Sequence, residues 1–83
     1  MYYVYILKLD KKGEKEFYIG YTSDLKSRFN QHTNGENKTT KNRHPKLVYY
    51  EAYLDKYTAL KREKGLKNSG SVYTALMKRI GLK

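Results

Sequence analysis

The stretch Tyr18-Ile19-Gly20-Tyr21-Thr22-Ser23-Asp24-Leu25-Lys26-Ser27-Arg28-Phe29-Asn30-Gln31-His32 changes its conformational preference partway along. It begins with aromatic and β-branched residues that favour strand, breaks at Gly20, and restarts as helix at Thr22 or Ser23. Hydroxyl side chains at that restart can accept bonds from the first free amide groups, and Asp24 suits the positive end of the helix dipole. Along the helix, Leu25 and Phe29 share one stripe, and Arg28 and His32, four apart, stack on a neighbouring one. A phenol at the end of a strand is thereby set beside a guanidinium and an imidazole from the following helix.

Outward from this stretch the rest of the chain reads as support. Residues 2–9 alternate into two faces, Tyr3, Tyr5, Leu7 and Leu9 on one and Tyr2, Val4, Ile6 and Lys8 on the other. Both faces are largely apolar, as a central strand requires. Residues 10–14 read as a turn with Gly13 free for positive φ, and residues 15–21 return as an antiparallel partner. Tyr5 and Tyr18 fall near the middle of the facing strands, within reach of each other. The spacing predicts a first helix over about 23–33, ended by Asn34-Gly35. The segment 35–45 is polar, basic and aperiodic, and reads as a surface loop or a short irregular turn closed by Pro45. Lys46 to Tyr53 form a third strand. Asp55 caps a second helix, about 56–67, whose apolar positions include Tyr57, Ala59, Leu60 and Leu66. Val72 to Ile80 repeat apolar residues at helical spacing, with Tyr73 and Met77 beside them. The expected fold is α+β: a small three-stranded antiparallel sheet flanked by helices, in the order strand, strand, helix, strand, helix, helix.

The chain has 83 residues, enough for one domain over 1–83 but with little core to spare. With no cysteine it has neither disulfides nor a thiolate zinc site. The longest apolar run is far too short to cross a bilayer, and the N-terminus lacks a basic region followed by an apolar core. The expected location is the cytoplasm, with no membrane partner. Eighteen basic residues against eight acidic give a net charge of +10. Lys56 to Lys83 alone carry eight basic residues and one acid. A polyanionic partner follows, because phosphate contacts drive binding through counterion release.

That one acid is Glu63. It falls four residues after Ala59 and three after Leu60, on or beside the inward face of the second helix, where an unpaired carboxylate is costly. It needs a basic partner, for which Lys67 four residues on is the plain choice, or a cation. One carboxylate cannot build an all-protein cage, although magnesium accepts one carboxylate together with waters and substrate phosphates. Taken singly, Arg28 is an ordinary solvated helix residue, His32 a packed imidazole, and Tyr5 and Tyr18 sheet residues. The case for chemistry rests on their combination.

The order Tyr3-Val4-Tyr5, Tyr18-Ile19-Gly20, Arg28, His32 and a helical Glu63 downstream resembles the GIY-YIG endonuclease superfamily, over nearly the whole chain. The run from Thr39 to Glu51 is similar to the small stand-alone bacterial members, relatives of the N-terminal nuclease domain of the excision-repair protein UvrC. Tyr3 stands where the motif's name calls for glycine, and the C-terminal asparagine of some members has no clear counterpart. The resemblance implies hydrolysis of a nucleic-acid phosphodiester, DNA before RNA, with one Mg²⁺ or Mn²⁺ held by Glu63. It implies Arg28 on the phosphate, Tyr18 as the base that takes the proton from water, and Tyr5 and His32 orienting it, unless His32 is itself the base. Gly20 leaves room for backbone or phosphate. Lys38, Lys41, Arg43, Lys61, Arg62, Lys64 and Lys67 supply phosphate contacts. A chain this small has little surface for reading bases, so selection of structure rather than sequence, in DNA repair or processing, is expected. Two other readings remain: a binding module of the same fold with weak or no cleavage, and an adaptor docking through Tyr49, Tyr50 and Tyr53.

Overall fold

The structure, a computed structural model, describes residues 1–10 and 16–82. The expected turn over 10–14 and the first residue of the expected second strand lie outside the described residues, apart from Asp10. Three strands, β1 (Tyr2–Lys8), β2 (Phe17–Thr22) and β3 (Lys46–Tyr53), form one antiparallel sheet in the order β2-β1-β3. With them are α1 (Leu25–Thr33), α2 (Lys56–Asn68) and α3 (Gly70–Arg79). The α+β class and the element order read from the sequence are those observed.

β1 is bonded on both edges and covered on both faces, which is why its two faces are both apolar. Val4 and Ile6 pack with Ala59, Leu66, Leu76 and Met77 of α2 and α3. Tyr5, Leu7 and Leu9 turn the other way, onto Leu25 and Phe29 of α1 and onto Tyr18 and Leu47. The sheet therefore separates α1 from the α2–α3 pair. A register shift between Ile6 and Leu7 puts a bulge in β3, so that Leu47 faces Leu7 and joins the α1 side.

The helix starts are set by side chains. Asp24 caps α1 by accepting from the Ser27 amide, Asp55 caps α2 through the Thr58 amide, and Ser69 both ends α2 and caps α3. The first helix thus begins slightly later than Thr22 or Ser23. Thr22 instead accepts from the Asp24 amide, which holds the carboxylate in capping position. Tyr57, expected among the apolar positions of α2, is largely exposed, because the first turn of that helix, residues 56–58, faces solvent throughout. No described helix is long and apolar enough to cross a membrane.

Candidate active site

Gly20 is where the site begins. In the register of β1 and β2 it lies directly opposite Tyr5, and the Tyr5 ring leans across it. A Cβ on Gly20 would fall 2.3 Å from both Cζ and the hydroxyl oxygen of Tyr5. The room expected there for phosphate is filled by Tyr5. Only glycine lets the central strand send a phenol sideways over its neighbour toward the outer edge of the sheet. Tyr18, diagonal to Tyr5 on the same face, meets it at 6.3 Å between ring centroids.

α1 supplies the next two groups. His32 is buried, its ring 5.0 Å from Tyr18 and 5.7 Å from Tyr5, edge-on to both. Its Nε2 is 2.8 Å from the Tyr5 hydroxyl and its Nδ1 is 2.9 Å from the hydroxyl of Thr40. Arg28, one turn earlier, donates from Nη1 to Gln31 at 3.1 Å. Its Nε is buried and has no hydrogen-bond partner among the described residues. A buried N–H on a cation is costly to leave unmade, so the group is poised for an acceptor from outside.

The loop between α1 and β3 turns two polar side chains inward. Asn37 donates to the Tyr18 hydroxyl at 3.4 Å and also accepts from the Thr39 amide. Thr40, fully buried, reaches His32. Arg28, Gln31, His32, Glu36 and Asn37 enclose a small hollow of about 40 Å³ at this place.

Burial pushes the Tyr5 phenol up to about 12, against partial relief from Arg28, and the charges of Tyr18 and Glu63 push the same way. Glu63 therefore stands within electrostatic reach of Tyr5 although α2 packs on the other face of the sheet. Burial, helped by Arg28, lowers His32, so the imidazole is neutral at neutral pH. Glu63 is mostly buried and pairs with Lys67 at 3.2 Å. That Lys67 side chain is half exposed, so the pair contributes little and yields readily to a stronger cation.

Tyr5, Tyr18, Arg28 and His32 are thus one contiguous group, and the charge of Glu63 acts on Tyr5 across the sheet. Residues 1–73 match the GIY-YIG catalytic domain family. The chain belongs to the GIY-YIG family. It is 43% identical over 68 residues to a UPF0213 protein of Staphylococcus epidermidis, covering 80% of this chain and 79% of that one. A UPF0213 protein of Staphylococcus saprophyticus is 44% identical, and one of Staphylococcus aureus 41%, over the same shares. No solved structure matches the chain. The family is one of nuclease domains that act on nucleic acid.

Around this candidate site the basic side chains differ in availability. Lys38, Lys41, Lys61 and Lys64 are exposed. Arg62 is committed: its Nε and Nη2 hold the two Glu51 oxygens at 2.9 and 3.0 Å. Tyr49 and Tyr53 also donate to Glu51, which sits on the α2 face opposite Val4. Burial would raise that carboxyl, yet Arg62 and the two phenols outweigh it and hold it below its ordinary range. Arg43 bonds to the backbone oxygen of Asp10. Of the three tyrosines considered for docking, only Tyr50 is well exposed.

Asn37, Thr40 and Gln31 are the contributors that sequence reasoning did not single out. The loop has no periodicity, and nothing in its composition distinguishes an inward Thr40 from an outward Thr39.

Alkaline stability checks the placement of Tyr5. Its native value lies above that of a free phenol, near pH ~10, so the stability it lends is complete below that pH and is lost as pH rises toward 12. Urea unfolding at pH 9 and 11 should show Tyr5→Phe losing less stability over that interval than wild type, by about 1.4 kcal/mol in all. Identical slopes would place the phenol in water.

Proposed function

We propose that this protein is an endonuclease that hydrolyses DNA phosphodiester bonds with one divalent cation, and that residues 1–83 act as one unit. The observation that carries the reading is the buried Arg28 Nε without a hydrogen-bond partner among the described residues, next to Tyr5, Tyr18 and His32. An incoming phosphate oxygen gives that donor its bond, and the planar guanidinium suits the charge that grows on the phosphoryl oxygens as the bond breaks.

The donor set fits a cation of the magnesium kind. No three His, Cys, Asp or Glu side chains cluster among the described residues, so a closed protein cage is not what those residues offer. Glu63 offers one mostly buried carboxylate paired with a half-exposed lysine, which suits an ion that keeps waters and takes phosphate oxygens. Mg²⁺ or Mn²⁺ there would polarise the scissile phosphate and stabilise the departing oxygen.

The base falls to Tyr18. His32 has both ring nitrogens engaged, and Tyr5 is held protonated by burial. Tyr18 is less buried and accepts from Asn37, a bond that favours its oxygen as an acceptor. It takes the proton from the attacking water while Arg28 holds the phosphate. Lys38, Lys41, Lys61 and Lys64 track the backbone on either side, a contact that reads charge and shape more than base identity. Selection of branched or flapped DNA, as in repair, follows from that.

The test is cleavage of linear, nicked and branched DNA and of RNA, with Mg²⁺, Mn²⁺ or chelator. Metal-dependent products are expected, with Tyr18→Phe slower than Tyr5→Phe. Salt-sensitive binding without products would favour the binding module. The reverse ranking of the two phenols would exchange their roles.

A further inference from the structure

Thr40, His32 and Tyr5 form a chain of three groups with two hydrogen bonds, 2.9 Å and 2.8 Å long, running from a closed interior to the site. Neutral His32 carries one ring proton, and each hydroxyl carries one. Two bonds use two of these three protons, so one is left over, and the tautomer of His32 decides whose it is. If Nδ1 carries the ring proton, it donates to Thr40, Tyr5 donates to Nε2, and the Thr40 hydroxyl proton is left over. Thr40 is 0% exposed and its side chain makes no other hydrogen bond among the described residues, so that proton would be stranded. If Nε2 carries it, Thr40 donates to Nδ1, His32 donates to Tyr5, and the phenol proton of Tyr5 is left over. That proton lies beside Tyr18, whose ring is 6.3 Å away, and beside the place where a phosphate would approach Arg28. A buried donor without an acceptor is costly, whereas one at the site is satisfied by substrate or water.

We infer that Thr40 is a positioning residue: it fixes His32 as the Nε2–H tautomer and so turns the Tyr5 hydroxyl proton toward the substrate. Tyr5 then serves as a neutral donor to the phosphate or to the attacking oxygen, with His32 supporting it from behind. This assigns work to the buried threonine of the loop and explains why a polar side chain is spent in a closed interior. The tautomer stands on the geometry alone; its kinetic consequence rests on the nuclease reading above.

The experiment is long-range ¹H–¹⁵N correlation of the two histidine rings in the full chain, with His44→Gln identifying the His32 signals. In wild type, His32 should show a protonated Nε2 and an unprotonated Nδ1. Thr40→Val, which keeps the shape and removes the hydroxyl, should shift the ring toward the other tautomer or a mixture, and Thr40→Ser should keep the wild-type pattern. Cleavage should follow: Thr40→Val lowers kcat on the order of 100-fold with KM nearly unchanged, and Thr40→Ser restores most of it. A protonated Nδ1 in wild type, alone or in a mixture, overturns the inference whether or not the protein cleaves. So does a Thr40→Val ring that keeps the wild-type pattern. If the tautomer is as stated and no DNA is cut, the nuclease reading fails and the assignment of Thr40 to the histidine stands.

Discussion

Arg28→Met will slow cleavage roughly 10³-fold, the upper end for removing one preorganised donor from a site that stabilises developing charge. The same substitution will leave stability within about 1 kcal/mol of wild type, because relief of a buried N–H without an acceptor offsets the hydrogen bonds that go with it. Nε is that donor, and the bonds given up with it are the 3.1 Å contact from Nη1 to Gln31 and the hydrogen bond to Tyr5. Methionine fills the same path with flexible apolar volume. A guanidinium kept for architecture would behave oppositely: its removal would destabilise the fold and cut activity only in proportion. Urea unfolding and single-turnover cleavage on the same preparation separate the two.

Gly20→Ala will be the most damaging small substitution in the sheet. The added Cβ meets the Tyr5 ring and oxygen at 2.3 Å, a distance no rotamer of alanine can relieve, since alanine has none. Either β2 separates from β1 or Tyr5 swings off His32, and both break the site. We expect a loss of roughly 3 kcal/mol in stability. Activity should fall on the order of 100-fold in whatever remains folded. Because the three atoms nearest the added Cβ all belong to Tyr5, the damage should be coupled: Tyr5→Leu in the Gly20→Ala background should recover a large part of the lost stability and none of the activity. Simple addition of the two effects would mean that Gly20 is needed for a reason other than the ring above it.

The sequence carried the fold because each element announced itself locally. The strand at Tyr2–Lys8 is apolar on both faces, and the structure covers both. Asp55 and the spacing of Ala59 and Leu66 marked the second helix within a residue of its observed bounds. The first helix start was less legible: Thr22, Ser23 and Asp24 are all capping residues, and only the geometry shows that the carboxylate takes the cap while the threonine holds it. The site was legible in part for a similar reason. Arg28 and His32 share a helix, so their common side follows from a turn of 3.6 residues. Tyr5 and Tyr18 share a hairpin, so their proximity follows from pairing. The contributions of Asn37 and Thr40 depend on the path of an aperiodic loop, which no periodicity encodes. Arg62 illustrates the opposite failure: in a basic run it looks like its neighbours, and only the position of Glu51 across the packed interface commits it to an ion pair.

In the proposed reaction Glu63, from a helix on the far face of the sheet, works with Arg28 and Tyr18 on one phosphate. The direct measurement is single-turnover cleavage of end-labelled branched DNA in Mg²⁺ or Mn²⁺ by Glu63→Ala beside wild type, with binding of the same DNA recorded in each. The expected result is bound DNA and no product above background for Glu63→Ala, with wild type cutting in the same buffer. Cleavage by Glu63→Ala at the wild-type rate would contradict it.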